Sequence, residues 1–217
     1  MRAFTQCRAP SLGRHGLPLF LAASVFSACA LPRRTEEALR PVDAPAMRPM
    51  GDATHWRLVE PLTFRIEAST DSVVIPAGFV TDFASIPPRL QSLISPLGPH
   101  LFPAVLHDYL YWAQSCTRSQ VDSLFLKAMV QMNVPRFESF AMYQAVHRFG
   151  HKSWQRNSRE RDLGLPRIIP DGDDVPRPRP QETWREYRSV LRAEGLSSEP
   201  PPTMSPTFCA HGGPPRS

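Results

Sequence analysis

Two kinds of hydrophobic spacing run along the chain, and the change from one to the other predicts a sheet followed by helices. In HWRLVEPLTFRIE, the apolar residues Trp56, Leu58, Leu62, Phe64 and Ile66 alternate with polar ones, with a break at Pro61. Successive side chains of a strand point to opposite faces, so this pattern predicts two short strands with one buried face. Val73 to Ile75 predicts a third strand, and a turn-rich segment through Gly78 and the Pro87–Pro88 pair follows it.

From Leu101 the spacing becomes helical. Val105, Leu106, Tyr109, Leu110, Trp112 and Ala113 give a first helix a broad apolar surface. Val121, Leu124, Phe125, Ala128 and Met132 then repeat at i, i+3, i+4, i+7 along a second. Between them SCTRS is a turn, and either Thr117 with Gln120 or Ser119 with Asp122 can form a capping box. A third helix is expected from about Phe137 to Ser153, with Phe140, Tyr143, Val146 and Phe149 inward. Gln181 to Ala193 reads as a short charged helix. The expected fold class is α+β: a small antiparallel sheet followed by about three packed helices, with disordered proline-rich termini.

Proline sets the expected boundaries. Of 25 prolines in 217 residues, 8 lie between Gly51 and Leu163 and 17 in the flanks. Proline removes a backbone donor and fixes φ, so dense proline argues against a packed core. The division expected is a signal segment at 1–28, a tether at 29–50, a globular domain at 51–163, and a linker, short helix and disordered tail at 164–217.

The N-terminus has the layout of an export signal. Arg2, Arg8 and Arg14 precede the apolar run LPLFLAASVF, which is too short to cross a hydrocarbon core needing roughly 20 residues. FSACA then places Cys29 where a bacterial lipobox has its acylated cysteine, so the pattern resembles a lipoprotein signal. That expectation puts the protein in the bacterial cell envelope, held to a membrane by lipid and facing the periplasm or exterior. Removing residues 1–28 leaves 22 basic against 20 acidic residues, which takes most of the support from a nucleic-acid reading. Outside the signal and Cys29, the remaining cysteines are Cys116 and Cys209, which an oxidising compartment would allow to pair.

The residues with chemistry gather on the predicted helix pair. His107 and Tyr111 are four apart and share a face, with Asp108 about 100° round the helix. The short turn brings Asp122, near the start of the second helix, towards that face. A histidine held by a carboxylate makes a good general base. Asp108 would suit a hard cation such as calcium. A structural account is open beside this one: Asp122 as a helix-start acid, His107 as a satisfied core histidine, Tyr111 as a core aromatic. His147 and His151 are also four apart, without an evident third ligand. No Gly-x-Ser-x-Gly, Walker loop, His-Glu-x-x-His or Cys-x-x-Cys is present.

IPAGFVTDFASIPPRL, AVLHDYLYW, TRSQVDSLFLKAM and YQAVHRFG together resemble the bacterial and phage family called domain of unknown function 1353, over roughly residues 56–150. A second similarity is confined to two helices. HDYLY followed by RSQVDSLF is similar to the phospholipase A2 pattern of His-Asp-x-x-Tyr, then an Asp followed three residues later by Phe. It implies His107 as the base that activates water, Asp122 as its orienting partner, Tyr111 as a support for Asp122, and Asp108 as a calcium ligand. That family's glycine-rich calcium loop has no counterpart, since residues 83–106 hold one glycine, Gly98. Asp82 could then stand in as a second carboxylate, or merely bond the backbone in a turn. Two functions follow as expectations: a membrane-tethered, calcium-dependent lipid esterase acting on phospholipid, or a non-enzymatic envelope or phage-derived lipoprotein whose His/Asp/Tyr cluster is structural.

Overall fold

The computed structural model describes residues 39–66, 69–83, 98–196 and 202–213. The signal segment and Cys29 lie outside the described residues. Among those described, the elements in chain order are β1 (Leu39–Pro41), β2 (Met47–Pro49), β3 (Trp56–Leu58), β4 (Leu62–Ile66), β5 (Ser72–Ile75), β6 (Val80–Thr81), α1 (Leu101–Ala113), α2 (Arg118–Gln131), α3 (Arg136–Phe149), α4 (His151–Asp162), α5 (Trp184–Ala193), β7 (Thr203–Met204) and a 3-10 helix, Phe208–Gly212. The fold is α+β, with two small antiparallel sheets, ordered β1-β4-β5-β7 and β2-β3-β6.

The alternation read from the sequence fixes register. Leu62 lies opposite Ile75 and Phe64 opposite Val73. All four are buried, and with Leu58, Ile66 and Phe79 they meet Val105, Leu106, Leu110, Val121 and Leu124 of α1 and α2 in one core. The stretch expected to be a tether contributes strands of its own, and Leu39 is fully buried. Proline does not forbid this, because β1 and β2 are edge strands, where a missing N–H breaks no ladder on the open side.

The α1–α2 hairpin takes the expected form. Thr117 is the N-cap of α2, and its capping box with Gln120 is complete in both directions. Of the two boxes the sequence allowed, this is the one formed. The expected third helix is instead two, α3 and α4, meeting at Gly150. A Cβ at Gly150 would collide with the Tyr111 hydroxyl and the Val146 carbonyl, so only glycine lets α1 approach this corner. The inward face of α3 is also rotated from expectation. Ser139, Met142 and Val146 are buried, whereas Phe140 is 58% exposed and Phe149 72%. Apolar spacing alone does not say which of two stripes a helix turns inward.

The chain beyond Leu163 returns to the core. Val80 N–H donates to the Arg167 carbonyl and Ile169 N–H to that of Gly78, extending the β6 region by a short bridge. Gly78 has φ +82, and a Cβ there would strike the Ile169 carbonyl. The charged helix α5 has an inward side after all: Trp184, Tyr187 and Leu191 are buried against Met50, Val80 and Ile169. In the tail expected to be disordered, Phe208 is fully buried and Cys209 forms a disulfide with Cys116, across 93 residues. Dense proline keeps regular pairing short here, yet β7 pairs with β5 and anchored side chains hold the backbone around it.

Candidate active site

The polar residues of the α1–α2 hairpin converge on one carboxylate. Asp122 is fully buried. Its Oδ1 accepts from the Tyr111 hydroxyl at 2.6 Å and lies 3.1 Å from His107 Nε2. Its Oδ2 accepts from Arg118 Nη1 at 3.0 Å and lies 3.5 Å from His147 Nδ1. A carboxylate has lone pairs to accept bonds on both oxygens, so this set is chemically consistent. The guanidinium supplies the opposite charge that a buried carboxylate needs.

Helix geometry explains each placement. His107 and Tyr111 are one turn apart on α1, with ring centroids 4.1 Å apart. Phe125 of α2 covers His107 from another side at 4.7 Å. Arg118 is one turn before Asp122 on α2, and the same Nη1 also reaches the carbonyls of Val146 and His147 at 3.3 and 3.0 Å. Those carbonyls belong to the last turn of α3, and that of Val146 also accepts from the Gly150 N–H at 2.7 Å. Arg118 therefore ties the end of α3 to the start of α2. Trp154 of α4 meets the Tyr111 ring edge-on at 5.1 Å. Burial and the neighbouring Asp122 push the Tyr111 hydroxyl well above its ordinary pKa, so it acts as a donor.

With Asp122 as the acceptor, the contact assigns the proton between them to His107 Nε2. This is the tautomer and orientation that a His–Asp pair needs for general-base work. His107 is only 2% exposed, however. In this conformation its ring is sealed from bulk water.

Asp108 occupies a second position, towards the sheet. Its Oδ2 accepts from the Thr81 hydroxyl at 2.6 Å. Burial first, and repulsion from Asp82 second, raise its pKa above the ordinary value. Asp82 pairs with Arg167 Nη2 at 3.3 Å, and Arg167 Nε donates to the Val80 carbonyl at 2.7 Å. The expected metal residues Asp82 and Asp108 are thus electrostatic neighbours, and both offer hard oxygens of the kind calcium takes. Among the described residues there is no group of three or more His, Cys, Asp or Glu side chains arranged to hold a metal ion. The pair fits a calcium ion only if backbone carbonyls and water complete the shell, and Arg167 already offsets part of the charge.

Residues 56–146 match the family described as protein of unknown function (DUF1353). Over that stretch the chain is similar to the DUF1353 family. No curated protein and no solved structure matches the chain. The matched segment contains Asp82, His107, Asp108, Tyr111, Arg118 and Asp122. His147, Gly150, Trp154 and Arg167 lie beyond its end.

The sequence reading brought His107, Tyr111 and Asp122 together correctly and placed Asp108 apart from them. It missed Arg118, although its i−4 spacing from Asp122 was a usable signal. It also missed Thr81 and Arg167, and it set His147 beside His151 rather than near Asp122, because these contacts are distant in the chain. His147 and His151 do not share a regular helix face, because the chain passes from α3 to α4 between them.

Proposed function

We propose that the protein is an exported, lipid-anchored hydrolase of lipid esters, with a DUF1353 domain as its catalytic body. The observation that carries this reading is the Asp122 carboxylate, whose Oδ1 meets His107 Nε2 and accepts from the Tyr111 hydroxyl while its Oδ2 accepts from Arg118. In the proposed reaction, Nδ1 of His107 takes a proton from water as the water oxygen bonds to the ester carbonyl carbon. The tetrahedral centre then collapses, the bond to the alcohol oxygen breaks, and His107 returns the proton to that oxygen. Asp122 stabilises the imidazolium that forms between the two steps. Asp108 and Asp82 would hold a calcium ion, which when bound would supply positive charge to the carbonyl oxygen. Acylation of Cys29 would keep the domain beside its substrate, in the cell envelope. The Cys116–Cys209 disulfide supports an oxidising compartment.

One observation favours a second reading. With His107 2% exposed, the cluster has the burial of a structural network that fixes the helix pair. Turnover under the first reading requires motion that opens a path to Nδ1. The deciding experiment is fatty-acid release from phospholipid by the full-length protein with calcium. The hydrolase reading expects release that His107→Gln abolishes while the melting temperature stays within a few degrees. If wild type and His107→Gln are equally inert and the substitution sharply lowers the melting temperature, the structural reading stands instead.

A further inference from the structure

Helix α3 presents large apolar side chains to solvent. Phe137 is 80% exposed and Phe140 58%, while Ser139, Met142 and Val146 take the inward side. At about 100° per residue, Phe137, Phe140, Gln144 and Arg148 fall on one outer stripe, across the helix from Val146. Val130, near the end of α2, is 46% exposed, and Pro135 in the connection is exposed as well. The tip of the α2–α3 hairpin is therefore apolar on its outside.

Arg136 precedes the Phe137–Phe140 stripe and Arg148 closes it at the other end of α3, where α4 begins. Arg136 and Arg148 on α3 and Lys152, Arg156 and Arg159 on α4 are all exposed. Over residues 136–162 there are six Lys or Arg against three Asp or Glu. We propose that this tip docks on an anionic lipid bilayer, with Phe137 and Phe140 entering the boundary between headgroups and acyl chains and Arg136 and Arg148 meeting lipid phosphates. Aromatic anchors beside arginines suit such a boundary, where the ring is buried and the cation stays at headgroup level. A second copy of the chain is a poor occupant, because pairing this face with itself would bring like charges together. A protein partner is disfavoured by size, since a stable interface takes roughly 20–30 residues a side. Docking of this kind goes beyond hydrolysis and holds whether or not His107 turns over substrate. It adds a second hold that would orient the domain on the surface.

The test reads depth at the tip rather than total binding, because an N-terminal anchor would retain the chain on any vesicle. Full-length protein carrying Phe137→Trp is mixed with vesicles containing brominated lipid, made either of equal parts phosphatidylglycerol and phosphatidylcholine or of phosphatidylcholine alone. The emission added over wild type should be quenched in the first and not in the second. Arg148→Ala, at an exposed position that leaves melting unchanged, should weaken docking about fivefold, as expected for one cation near an anionic surface. No quenching in either vesicle, or equal quenching in both, would overturn the proposal. So would a dimer in sedimentation that Phe140→Ala dissociates, which would make the patch an interface between copies.

Discussion

Asp122 and Asp108 are buried carboxylates on adjoining helices, and their surroundings are opposite in kind. Asp122 has a tyrosine hydroxyl, a guanidinium and two imidazoles within 3.5 Å. Asp108 accepts from the Thr81 hydroxyl, and its electrostatic neighbours include a second acid, Asp82, as well as His107 and Arg167. Charge at Asp122 is answered by the protein itself. At Asp108, burial and the Asp82 charge outweigh Thr81, His107 and Arg167, so the carboxyl holds a proton more tightly than usual. Under the proposed function the first carboxylate would hold His107 and the second, with Asp82, would take a cation.

The largest effect should come from emptying the better-satisfied position. Asp122→Ala leaves Tyr111, Arg118 and His107 without their common acceptor, and urea denaturation should show a loss of about 3–5 kcal/mol. Next comes the packing that seats Tyr111 beside Asp122. Gly150→Ala would push a methyl group into the Tyr111 hydroxyl, costing about 1–3 kcal/mol in the same assay. Combined with Tyr111→Phe, which removes that oxygen, the cost should be clearly less than the sum of the single changes. Additive costs would mean that Tyr111 does not meet this corner as described.

The smallest effect has the opposite sign, which sharpens the comparison. A carboxyl that binds its proton more tightly in the folded state adds stability in acid. For Asp108 that contribution is fully present below the ordinary value of 3.8 and is lost as pH rises through the raised folded value. Asp108→Asn, which can still accept from Thr81, should remove that loss. Its melting temperature in chelator should match or exceed wild type at neutral pH and fall below it relative to wild type in acid. A large drop at neutral pH would show that the Asp108 charge is compensated as fully as that of Asp122.

Local pattern carried the α1–α2 hairpin, its Thr117 cap and the meeting of His107, Tyr111 and Asp122, because all of these follow from helix periodicity and one short turn. Strands β3 to β5 were legible from alternation for the same reason. Arg167, paired with Asp82 85 positions earlier in the chain, has no local signature, and neither does the burial of Phe208. The inward face of α3 was misread because Phe140 and Phe149 are as apolar as any core residue. Nothing in their spacing marks them as the side that α2 leaves uncovered.

The assignment of Asp108 to a cation and Asp122 to His107 is tested most directly by calcium titration of the full-length protein in a calorimeter. Binding heat should appear with wild type, disappear with Asp108→Asn and persist with His107→Gln. No heat with wild type, or heat that survives Asp108→Asn unchanged, would contradict the division of labour between the two carboxylates.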